Sequence, residues 1–295
     1  MIHTAICAGA SQIALMAEAK PHTRFCFAPS RRSGMGICMS RIKEAFENGK
    51  AFIAFVTCGD PDLETTGAVV REMVKNGADL IELGIPFSDP TAEGPVIQGA
   101  NLRALNGGVT TDQIFEFVKE LRRDVSVPMV FMTYANVVFS YGAERFIGTC
   151  REIGMDGLIL PDLPYEEKEE FQPICRCFGL ELISLIAPTS ENRIARIAGE
   201  AEGFVYLVSS LGVTGVRSEI KTDLASIVEA IRRNTDIPCV IGFGISTPEQ
   251  AARMAGLADG VIVGSAIVRL IEKYGRQAPE YVGRYVKEMK DTIRG

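Results

Sequence analysis

Eight short apolar runs, each followed by an amphipathic segment, predict an α/β fold: one single-domain (β/α)8 barrel, the TIM-barrel form, with an additional helix ahead of the first strand. Three observations carry this. The runs are nearly continuous in Val, Ile, Leu and Phe rather than alternating, as parallel strands buried on both faces are. Turn residues recur between them, with no low-complexity linker and no sign of a second core. The chain has 295 residues, 47% hydrophobic and 23% charged, which suits a barrel of about 250 residues and a short extension. A doubly wound open sheet is the structural alternative, but it would leave two edges on eight strands and usually carries GxGxxG after the first strand, where none follows.

Taken in order, Ser40 is expected to cap a helix whose apolar positions are Ile42, Ala45 and Phe46 and which Gly49 stops. Ala51 to Thr57 reads as the first strand, and Asp60 and Pro61 are expected to open a helix ending near Gly77. Further strands are read at Leu80 to Gly84, Pro128 to Thr133, Gly157 to Leu160, Glu181 to Ile186, Phe204 to Val208, Pro238 to Gly242 and Gly260 to Val263. Helical spacing is found at Ala143 to Ile153, Glu166 to Phe178, Asn192 to Ala201, Leu224 to Arg233, Thr247 to Ala255 and Ala266 to Lys273.

Residues 1 to 38 differ from the rest. They hold Lys20, Arg24, Arg31 and Arg32 against one acid, Glu18, a net of +3 that leaves −9 for the remainder of a chain of net charge −6. Met35 and Met39 stand just before the first helix start, so this segment is read as an over-called start, with an organellar leader as the alternative, and is expected to be disordered. The barrel is expected to span 39 to 295.

Charge and composition exclude several classes. An acidic chain offers no basic field for nucleic acid or anionic lipid, and the apolar run Ile13 to Met16 is too short to span a membrane. Both histidines, His3 and His22, precede the regular part of the chain, so a Ser/His/Asp triad or a His-based metal site is not expected, and no metal is called for. The eight cysteines form no CxxC pair and read as reduced thiols of a cytoplasmic protein. Proton transfer then falls to carboxylates.

Glu82 is a charged residue inside the apolar second strand, where desolvation would raise its pKa toward the value a general acid or base needs near neutrality; pairing with a buried Lys or Arg is the structural alternative. Glu93 follows in the loop 87–95, long enough to fold over the barrel mouth, although a carboxylate before Pro95 is also what a helix N-terminus favours. Three glycine-rich strand ends, Gly212-Val213-Thr214-Gly215, Gly242-Phe243-Gly244-Ile245-Ser246 and Gly264-Ser265-Ala266, together predict a phosphate site closed by the helix starting at Ser265.

The run Glu82 to Pro90 (ELGIPFSDP), with Gly59-Asp60-Pro61, Tyr134-Ala135-Asn136, Pro161-Asp162-Leu163-Pro164 and the two glycine motifs beginning at 212 and 242, resembles the tryptophan synthase alpha subunit across nearly all of 39 to 295. The resemblance implies a lyase that splits indole-3-glycerol phosphate into indole and glyceraldehyde 3-phosphate in tryptophan biosynthesis. It implies no cofactor in this subunit, and a pyridoxal-phosphate beta subunit that receives indole within an alpha2beta2 heterotetramer. Glu82 matches the family's strand-two catalytic Glu, and Glu93 stands where the family usually has a catalytic Asp. Tyr206, Thr214, Gly215, Phe243, Gly244, Gly264 and Ser265 match positions near the catalytic Glu and around the phosphate. Asp89, Tyr134 and Asp162 are expected to line the pocket or support its loops. Ser210 replaces an Arg of some relatives. A stand-alone lyase, a Lys-dependent phosphate-binding barrel and a non-catalytic paralogue are the alternatives, the second disfavoured because no Lys lies within a strand.

Overall fold

The strands close in chain order into one parallel barrel, β1-β2-β3-β4-β5-β6-β7-β8. The computed structural model describes residues 40–208, 223–242 and 244–294, and the expectations for residues 1–38 lie outside them. The strands are β1 Ala51–Thr57, β2 Leu80–Gly84, β3 Met129–Met132, β4 Gly157–Ile159, β5 Glu181–Ile186, β6 Val205–Val208, β7 Cys239–Gly242 and β8 Gly260–Val263. The helices are α1 Leu63–Lys75, α2 Pro95–Asn106, α3 Thr111–Leu121, α4 Ala135–Tyr141, α5 Ala143–Glu152, α6 Gln172–Phe178, α7 Glu191–Gly199, α8 Leu224–Arg232, α9 Pro248–Leu257, α10 Ser265–Tyr274 and α11 Ala278–Ile293. Among the described residues no helix is long and apolar enough to cross a membrane.

All eight strands lie where the apolar runs place them, three of them shorter by one residue at one end and β3 by one residue at each end. Three helical readings need correction. The turn after Ser40 is a 3-10 helix, Ile42–Phe46, not an α-helix; Ser40 Oγ accepts from Ile42 N at 3.2 Å and donates to Glu181 Oε2 at 2.8 Å, tying the turn to β5. Asp60-Pro61 does not open α1. That peptide is cis, and the helix starts at Leu63, where Asp62 accepts from Thr65 N at 2.7 Å and so supplies the cap. The stretch 166–178 is two pieces, a 3-10 turn Tyr165–Glu170 and then α6, which restarts at Gln172 with Pro173 in its first turn.

Inside the barrel, Ile53, Leu80, Val130, Ile159, Ile183 and Val240 form a packed interior that Ile42 and Ala45 of the 3-10 turn plug from below. The other strand faces pack against the helices in the larger outer core, and this double coverage is why the runs are continuous. Near the mouth, Phe55 packs with Ile97 and Ala100 of α2 and Val268 of α10.

A repeated device closes the opposite end. A carboxylate just before each even strand accepts a backbone N–H of the preceding odd strand. Asp79 takes Phe52 N at 2.7 Å, Asp156 takes Met129 N at 3.0 Å, Glu202 takes Leu182 N at 3.2 Å and Asp259 takes Cys239 N at 2.9 Å. Each is also held by a cation: Lys290, Arg122, Arg176 and Arg232 respectively. The Asp156 staple is the most buried on the carboxylate side, and it holds Arg41 as well. Removing Asp156 would strand a buried guanidinium, so Asp156→Ala is expected to cost about 3–5 kcal/mol of unfolding free energy in urea. Asp259→Ala, at a solvent-screened pair, is expected to cost about 1 kcal/mol. Equal losses would show that burial does not set the worth of these staples.

Candidate active site

At the carboxyl ends of the strands an apolar cavity of about 920 Å³, counted out to its open mouth, is lined by Phe55, Met132, Leu185 and Ile262, with Glu82 and Glu93 among its few polar groups. Glu82 sits mid-strand in β2, paired in register with Phe55 of β1 and Val130 of β3, so strand alternation turns it into the barrel. It is 1% exposed and its Oε2 has no hydrogen-bond partner. The Lys or Arg partner that a structural role requires is absent among the described residues. Lys290, the one buried cation among them, lies at the other end of the barrel, bound to Asp79 and to Lys50 O. Burial first, and the nearby Glu93 second, push the Glu82 carboxyl up to about 8.

Glu93 reaches the same cavity from the loop between β2 and α2 and is 6% exposed. Gly94 caps α2, Pro95 fills its first position, and Gln98 Nε2 donates to Glu93 O at 2.7 Å, so the helix start fixes the Glu93 backbone. Its carboxylate turns from the helix N-terminus toward Asn101 of α2, whose Nδ2 donates to Oε2 at 2.7 Å. Burial raises Glu93 to about 7 and the Asn101 donor works against that rise.

Tyr206 of β6 lines the cavity, its hydroxyl pKa raised by burial and then by the charge of Glu82. Its ring lies over Gly242 so closely that a Cβ there would come within 2.4 Å of it, which explains glycine at the end of β7. Beyond the carboxylates, Gly244, Ser246, Gly264, Ser265 and Ala266 line the same cavity. Gly244 has φ +80°, a backbone form that L side chains avoid. Gly264 caps α10, so the unsatisfied N–H groups of that ten-residue helix begin at the cavity wall. The Ser246 amide is already taken by Gln250 Oε1 at 2.8 Å, and its carbonyl accepts from Tyr285 Oη at 3.0 Å, which leaves it a loop anchor.

Of the residues expected from sequence, Glu82, Glu93, Tyr206, Gly244, Gly264 and Ser265 come together in the cavity. Thr214, Gly215, Phe243 and Ser210 lie outside the described residues. Asp89, Tyr134 and Asp162 do not line the cavity. Tyr134 is buried and its Oη accepts from Ala92 N at 3.1 Å, holding the Glu93 loop. Asp162 is exposed and accepts from Ala135 N at 3.0 Å, closing the start of α4. Asp89 is exposed and bonds only Ser88 among the hydrogen bonds of the described residues, so of the two acids it is Asp162 that supports a loop. Two residues were not foreseen. One is Asn101. The other is Arg269 of α10, which lines the cavity and has neither hydrogen bond nor ion pair among the described residues. No group of His, Cys, Asp and Glu among the described residues is arranged to hold a metal ion.

Comparison with known proteins gives a consistent answer. A family model described as tryptophan synthase alpha chain matches residues 41–294. A tryptophan synthase alpha chain of Lacticaseibacillus casei is 49% identical over 255 residues, covering 86% of this chain and 96% of the relative. One from Alkaliphilus metalliredigens is 50% identical over 242 residues, covering 81% and 91%. Among solved structures, tryptophan synthase subunit alpha of Legionella pneumophila aligns with TM-score 0.79 at 37% identity, covering 86% of this chain and 98% of that one. A chain of the tryptophan synthase complex of Pyrococcus furiosus aligns with TM-score 0.75 at 36% identity, covering 82% and 99%. With the fold, the two cavity carboxylates and these relatives in agreement, the chain belongs to the tryptophan synthase alpha chain family.

Proposed function

We propose that this chain cleaves indole-3-glycerol phosphate to indole and glyceraldehyde 3-phosphate as the alpha subunit of tryptophan synthase. The observation that carries the reading is one apolar cavity lined by Glu82, buried and with no partner for its Oε2 among the described residues, by Glu93, by the N-terminus of α10 and by Arg269, which has no ion pair among the described residues. The apolar middle suits an indole ring. The N–H groups of α10 and the Arg269 guanidinium suit the phosphate.

The chemistry is a retro-aldol step. Near neutral pH Glu82, raised to about 8, is largely a carboxylic acid and donates its proton to carbon 3 of the indole, making the ring an electron sink. Positive charge then develops at the ring nitrogen, whose N–H donates to the Glu93 carboxylate. As the bond from carbon 3 to the glycerol carbon breaks, its electrons return to the ring, and the glycerol hydroxyl loses its proton to Glu82. The hydroxyl carbon becomes the aldehyde of glyceraldehyde 3-phosphate, and Glu82 ends in the form in which it began. No step calls on a cofactor of this chain, and pyridoxal phosphate belongs to the beta partner.

The partner surface is read from the mouth. α4 follows β3 directly at that end, and it carries Phe139, 74% exposed, a large apolar side chain facing solvent. We assign it to docking of the beta subunit in an alpha2beta2 assembly. The cytoplasm suits Cys58, Cys150, Cys175 and Cys239, buried free thiols whose ionisation burial opposes.

The direct test is glyceraldehyde 3-phosphate release from indole-3-glycerol phosphate, with and without a cognate beta subunit. Slow release that the partner accelerates supports the reading, and no release in either condition rejects it. Glu82→Gln is expected to lower kcat by at least about a thousandfold. It should also stabilise the protein. The folded-state pKa of Glu82 lies above its ordinary 4.5, so the stability tied to its protonation is fully present below pH 4.5 and is lost as pH rises through about 8. The variant is therefore expected to be more stable by about 4 kcal/mol at pH 8 and close to wild type at pH 4, read from urea midpoints. Arg269→Gln is expected to raise KM by about tenfold with little change in kcat, as loss of uniform phosphate binding does.

A further inference from the structure

Asn101 lies on the second turn of α2, eight residues after Glu93, and is only 3% exposed. Its side chain meets the Glu93 carboxylate inside the protein, where a polar amide with no partner would be costly. No basic side chain contacts Glu93 among the described residues. The titratable groups that face it are Glu82 of β2 and Tyr134, which precedes α4 and whose hydroxyl holds the Glu93 loop at Ala92 N. Asn101 is therefore the one donor to this acid among the described residues.

The family's usual Asp at this place is shorter by one methylene. Here the longer side chain does not need a displaced loop, because Gln98 and Gly94 already fix its backbone against α2. The extra length instead carries the carboxylate to the amide of Asn101. Resting on the lyase reading above, we propose that Asn101 is a positioning residue that orients Glu93 toward the indole nitrogen and keeps it in its charged form, and that Glu93 and Asn101 act as one unit.

The test is kcat and KM for indole-3-glycerol phosphate cleavage against pH, for wild type, Asn101→Ala, Glu93→Asp and the double variant. Asn101→Ala is expected to lower kcat about tenfold at pH 7, to change KM by less than about twofold, and to move the acid limb of kcat to higher pH, because a lost donor disfavours the carboxylate. In the Glu93→Asp background the same change should cost no more than about twofold, since the shorter acid withdraws from the amide. Equal losses in both backgrounds, or an unmoved acid limb, would overturn the proposal. Asn101→Leu, of similar shape without the donor, serves if Asn101→Ala does not fold. A second readout is independent of turnover: in Glu-labelled protein the 13C carboxyl resonance missing from Glu93→Gln should titrate near 7 and shift upward in Asn101→Ala. An upward shift in a protein that releases no glyceraldehyde 3-phosphate rejects the lyase reading while upholding the pair, and an unshifted resonance rejects the pair.

Discussion

The mouth of this barrel is organised around one carboxyl group that the fold buries with no counter-charge among the described residues. Glu82 stands in a strand covered on both faces, and closure of the barrel turns its side chain inward, where Phe55 and Tyr206 line the same cavity. A charge there is expensive, so the proton stays on to unusually high pH. Glu93 adds to this effect through its own charge, and its carboxylate is steadied by Asn101 rather than by a cation. The two acids therefore differ in kind. Desolvation holds the proton on Glu82, while the hydrogen bond from Asn101 favours the charged form of Glu93 against its own burial.

The opposite end of the barrel handles its charges in the reverse manner. There every carboxylate before an even strand has both a backbone N–H and a cation, and the buried Lys290 donates to both Asp79 and Lys50 O. Paired charges hold the frame at that end, while the carboxyl at the mouth has no partner for its Oε2 among the described residues. This division agrees with the general rule that barrel chemistry gathers at the carboxyl ends of the strands and stability at the amino ends.

Much of this was legible in the residues. Eight apolar runs of strand length cannot be buried on both faces in many ways, and their bounds hold to within a residue. Glu82 was visible because it is a charge inside such a run. The helix starts were less legible. The cis peptide at Asp60-Pro61 and the break at Phe171 depend on tertiary packing that periodicity does not record. Motif membership does not by itself tell lining from support: Asp89 and Asp162 lie within well-marked runs, yet both are exposed and Asp162 holds the start of α4. Asn101 and Arg269 gave no signal, since an Asn or Arg on an amphipathic helix ordinarily reads as a solvated face. The acids before even strands, Asp79, Asp156, Glu202 and Asp259, recur in step with the fold, and that regularity could have been read from the sequence.

Burial with no counter-charge among the described residues is what keeps Glu82 protonated at neutral pH. The most direct test is a 13C carboxyl titration of Glu-labelled protein, with the Glu82 resonance assigned by its absence from Glu82→Gln. A midpoint near 8 is the result this account predicts. A midpoint near the ordinary 4.5 would mean that Glu82 is solvated or paired in solution, and would contradict both the proton-donor role and the electrostatic picture of the mouth.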